Sequence, residues 1–89
     1  MRRMETNEDA PTLGLRALAW VVGDATRAER FLALTGIDPA ELRARAADPG
    51  FLAQVLTHLE SHEPDLIACA DALAIAPTDL VTARARLES

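Results

Sequence analysis

Glycine and proline recur along this chain too often to allow a long helix. Gly23, Gly36, Pro39, Pro49, Pro64 and Pro77 divide it into segments of about ten residues. Glycine closes a helix in the left-handed conformation, and proline fits the first helical turn but not the interior. Between these marks apolar residues recur at helical spacing, and no useful run alternates with period two. Aromatic residues are only 3% of the chain, and Ala and Leu, which favour helix over strand, supply most of the apolar content. Helices of ten residues are marginal alone in water, so they must stabilise one another by packing. The expectation is an all-α fold, a compact orthogonal array of about six short helices in one domain over residues 9–89. Residues 1–8 are polar and aperiodic, and read as a frayed or disordered N-terminal tail.

Each segment carries its own start signal. The first helix begins near Asp9 or Thr12 and ends at Gly23, which can close it in the left-handed conformation. Leu15, Leu18, Ala19 and Val22 make one stripe, while Leu13, Ala17, Trp20 and Val21 make much of the other side apolar. Arg16 lies four residues before Trp20, the spacing for a cation–π contact. Thr26 and Glu29 have capping-box spacing for the second helix, which places Ala28, Phe31, Leu32 and Thr35 on one face and stops at Gly36. In GIDPAEL, residues 36–42, Asp38 is the N-cap, Pro39 the first helical residue, and Glu41 is placed to complete a box. Ile37 and Leu42 have the spacing of a hydrophobic staple. Asp48-Pro49 starts a fourth helix whose stripe is Phe51, Leu52, Val55, Leu56 and Leu59, leaving Gln54, His58, Glu60 and Ser61 outside it. A fifth helix starts at Pro64 with Leu66, Ile67, Cys69, Ala70 and Leu73. The stretch AIAPTDL, residues 74–80, then repeats the earlier corner and opens a sixth.

From LRALAWVVGD through RFLALTGIDPAELRARAADPGFLAQVL to LIACADALAIAP, the chain resembles a family of small bacterial proteins, domain of unknown function 3572. The likeness covers roughly residues 12–88 and is carried by packing and capping residues. It implies an all-α domain and brings no activity or site. Ala74 departs from the glycine expected there, which argues against a glycine-type helix stop at that point.

Charge and chemistry narrow the function. All nine basic residues are arginine, fourteen acids outnumber them, and the net charge is −5. Nucleic acid and anionic membranes attract a positive field, so this balance disfavours both. The most apolar run, Leu13–Val22, carries Arg16 and is half the length that a bilayer span needs. The start of the chain lacks signal-peptide character, and a cytoplasmic location is expected. Cys69 is the only cysteine, so it reads as a small buried apolar group.

Residues 69–84 fit helix-turn-helix spacing, and a DNA-binding alternative using residues 69–86 would run through Thr78, Thr82, Arg84 and Arg86. Well-studied duplex binders make about six to ten phosphate contacts, and two arginines beside Asp79 fall short of that. The earlier copy fits worse, because Arg45 stands where the motif keeps an apolar residue. His58 and His62 lie four apart and could share a metal, but zinc takes three or four ligands, and the pair reads as part of a solvated face. The chain shows no phosphate loop, nucleophile elbow or metalloprotease motif, so no enzyme activity, cofactor or catalytic residue is expected. The favoured reading is a protein–protein interaction or structural module, its partner another protein or itself. The candidate patch is Leu13, Arg16, Trp20 and Val21, on a helix apolar over most of its surface.

Overall fold

Aspartate begins most of the helices in the computed structural model, which describes residues 8–89. Asp9 accepts a hydrogen bond from the Thr12 amide at 2.8 Å and opens α1 (Ala10–Val22). Asp24 accepts from the Arg27 amide at 3.0 Å and opens α2 (Ala25–Thr35). Asp38 accepts from the Ala40 amide at 3.0 Å and opens a 3-10 turn, Pro39–Glu41, that runs straight into α3 (Leu42–Arg45). Asp48 accepts from the Gly50 amide at 3.1 Å and opens α4 (Pro49–Glu60). The helices α5 (Glu63–Leu73) and α6 (Pro77–Glu88) lack a side-chain acceptor at the cap residue itself. At α6 the Ala76 amide instead donates to Asp79 at 3.0 Å.

Two expected boxes do not form. Asp24 takes the cap of α2 and leaves Thr26 inside the first turn; its carboxylate sits on an extended residue that can reach the free amides. Glu41 does not return the second bond to Asp38, because the chain enters a 3-10 turn there. Most of the expected tail, residues 1–7, lies outside the described residues. Glu8 is described, and it pairs with Arg16.

The helix ends are equally local. Gly36 takes the left-handed conformation (φ 73°) and donates to the Leu32 carbonyl at 2.8 Å. Gly23 closes α1 with ordinary right-handed angles (φ −77°), contrary to the left-handed closure expected of it. Ala74 gives the opposite correction. It stands at φ 62°, and its amide donates to the Asp71 carbonyl while that of Ile75 donates to Ala70. This is the glycine-type Schellman stop, made by an alanine. A left-handed alanine costs about 1–2 kcal/mol, and glycine's larger unfolded-state entropy returns part of it. Ala74→Gly is therefore expected to stabilise the protein by about 0.5–1 kcal/mol, read as a higher urea midpoint at unchanged slope.

The core runs along α4. Phe51, Leu52, Val55, Leu56 and Leu59 are all buried, and the helix packs against α6, α1 and α5. Phe31 is the one buried residue of α2, meeting Phe51 edge-on with ring centroids 6.3 Å apart. Ile37 and Leu80 are buried, and Leu42 and Ile75 pack against the same core, so both corners face inward. The radius of gyration, 12.4 Å, is that of a compact domain of this length, about 12 Å.

On α1 the inward face is Ala10, Leu13, Gly14, Ala17, Leu18 and Val21. Of the stripe expected to lead, only Leu18 is buried; Ala19 is exposed, and Leu15 and Val22 are 48% and 39% exposed. The rotation follows from Gly14, where a Cβ would stand 2.9 Å from Leu52 Cβ, so only glycine lets α1 approach α4 this closely. Ile67 of α5, expected inside, is 50% exposed.

Candidate functional site

The candidate DNA reader has the right skeleton. A three-residue connection joins α5 to α6 and the two axes turn by 100°, within the range of helix-turn-helix units. Ala70, Leu80 and Ala83 are buried as that motif requires. Thr78, Thr82 and Arg86 are exposed and line an open cleft of about 370 Å³ with Glu8, Ala10, Leu13, Asp79 and Ala83.

Arg84 does not join them. It donates to Glu60 of α4 and, at 2.7 Å, to Glu88, and Glu60 foremost raises its pKa above the usual guanidinium value. Four other arginines are similarly engaged. Arg16 pairs with Glu8 and reaches the Leu73 carbonyl at 3.3 Å, Arg30 pairs with Asp65, and Arg45 lies 4.0 Å from Asp48. Arg27, not Arg16, stacks on Trp20, its guanidinium carbon 3.7 Å from the ring centroid, and donates to the Trp20 carbonyl at 2.7 Å. Five of the seven arginines in the described residues thus have partners within the chain, leaving Arg43 and Arg86 turned to solvent.

Two residues of the expected interaction patch are not at the surface. Leu13 and Val21 are 3% and 1% exposed and belong to the core, because the α1–α4 contact at Gly14 turns them inward. Trp20 is half-buried under Arg27, and Arg16 is drawn toward Glu8 and α5. The apolar surface α1 does present is Leu15, Ala19 and Val22, spaced at i, i+4 and i+7. Leu15 continues into a shallow apolar groove of about 370 Å³ with Pro11, Ala46, Ala47 and Leu52, edged by Thr12 and Arg43. The helical spacing of this stripe was readable in the sequence. Its exposure was not.

His58 is not on a solvated face, and His62 is half-buried. His58 is 9% exposed and its ring stands edge-on to Phe31, centroids 5.1 Å apart; the His62 ring is 5.5 Å away. Burial lies behind the correction, since Phe31 of α2 covers the side of α4 that sequence spacing left outside. Among the described residues no group of three or more His, Cys, Asp or Glu side chains is placed to hold a metal ion, so the pair gains no third ligand. Cys69 is buried, and that burial pushes its thiol up to about 11, so it is held in the unreactive protonated form at neutral pH.

These features define a small all-α domain whose polar side chains are largely spent on caps and ion pairs. The chain belongs to the family described as Protein of unknown function (DUF3572), whose sequence model matches residues 7–89. No curated protein and no solved structure matches it. Among the described residues, no single helix is long and apolar enough to cross a membrane.

Proposed function

We propose that this domain is a protein–protein interaction or structural module, which meets another protein or a second copy of itself through the outward edge of α1. The observation that supports this reading is the exposed stripe of Leu15, Ala19 and Val22 beside the apolar groove at Ala46 and Ala47. Contiguous apolar surface of this kind marks contact sites, where a partner removes it from water at about 25 cal/mol per Å². A binding role rather than a catalytic one also accords with a thiol held protonated and acids occupied in capping. The test is a photo-crosslinking amino acid placed at position 15 or 22, with position 85 on α6 as the exposed control. Adducts formed in the native cell at 15 and 22 but not at 85, or a dimer in sedimentation, are expected. Equal labelling at all three positions together with a strict monomer contradicts the reading.

The 100° turn between α5 and α6 favours a second reading, DNA binding through Thr78, Thr82 and Arg86. Fluorescence anisotropy on mixed duplex pools at low salt tests it, and no signal at high micromolar protein removes it.

A further inference from the structure

The corner where α2 meets the α4–α5 junction holds more cationic capacity than anionic. His58 of α4 is wedged there between Phe31 of α2 and His62, the residue that caps α5. Arg30 enters from α2 and bonds Asp65 of α5. Nε of Arg30 and Nδ1 of His62 are buried without hydrogen-bond partners. From α6, Arg84 is already engaged by Glu60 and Glu88. With His58 neutral, Arg30 and Asp65 face it as one cation and one carboxylate. A proton added to His58 leaves a further cation on a buried ring packed against Phe31, facing Arg30 and with Asp65, already bonded to Arg30, as the opposing charge.

We propose that this corner is an acid-released latch: neutral His58 holds α2 against α4, and its protonation frees α2 while the rest of the core stays packed. Phe31 is the only fully buried side chain of α2, and its ring rests on His58 and Phe51; half-buried Leu32 and the Arg27–Trp20 stack on α1 add lesser holds. Burial first, then His62 and Arg30, holds the His58 pKa below the ordinary imidazole value, with Asp65 opposing. The sign follows. The released state takes up a proton near the ordinary value, about 6.5, and the latched state only at lower pH. The latch is therefore fully closed above about 6.5 and weakens as pH falls below it.

Amide hydrogen exchange on the full chain, corrected for the intrinsic pH dependence of exchange, tests this. Opening of α2 is expected to increase by up to about tenfold per pH unit below 6.5, the limit for one linked proton, while amides in the middle of α4 keep their protection. In His58→Gln, which keeps a polar side chain without the titration, α2 opening should not vary with pH. An imidazole NMR titration of the unsubstituted protein reads His58 independently should that variant fail to fold. The proposal is overturned if α2 and α4 lose protection together, if His58→Gln keeps the pH dependence, or if His58 titrates at or above the ordinary value.

Discussion

Phe31→Ala is expected to lower stability by about 3–5 kcal/mol, the range for deleting a buried aromatic ring. A domain of 89 residues has in all roughly 4–13 kcal/mol, so this substitution removes a large share. Phe31 is 0% exposed and joins α2 to α4, touching Phe51 and His58 as the one fully buried residue of its helix. The only neighbour on α2 that packs on the core is half-buried Leu32, which is too small to fill the space of the ring. In thermal melts followed by circular dichroism the midpoint should fall by more than about 12 °C, at roughly 4–8 °C per kcal/mol for a domain of this size. A loss below about 1 kcal/mol would mean that α2 is not held by this ring.

Gly14→Val comes next in size. The α1–α4 contact leaves no room for a Cβ, since Leu52 Cβ would lie 2.9 Å away and a Cβ is fixed to its backbone. Overpacking of this kind costs about 1–3 kcal/mol and sometimes more. Valine adds two methyls and a restricted χ1 in a helix, so about 3 kcal/mol is expected. Gly14→Ala separates the causes, because alanine gains about 1 kcal/mol of helix propensity against the same steric cost. It should destabilise by about 1 kcal/mol, whereas the same exchange at an exposed helical site stabilises. Urea unfolding of the two variants checks both, and a more stable Gly14→Ala would show that the helices are not in close contact.

What could be read from the sequence was mostly local. Asp38-Pro39 and Asp48-Pro49 announce helix starts because capping acts over two or three residues, and both caps are formed. The inward stripe of α4 was legible because that helix has one wide apolar face. The first helix is apolar nearly all round, so periodicity could not choose its buried side. The choice is made by Gly14 against Leu52, thirty-eight positions away. For the same reason Leu13 and Val21 were placed on the surface, whereas the exposed large apolar side chains of α1 are Leu15 and Val22. His58 looked solvated because the ring that covers it comes from α2, and the Arg30–Asp65 pair spans thirty-five positions. Non-local packing decided each of these, and a single sequence does not display it.

Six short helices share one core through α4, with α1 seated in it rather than lying on it. Urea unfolding followed by Trp20 fluorescence and by far-ultraviolet circular dichroism in the same samples tests this most directly, since Trp20 reports on α1 and the dichroism on all helices. A single transition with coincident midpoints is predicted. A Trp20 signal lost well before the helices melt would show that α1 is not part of that core.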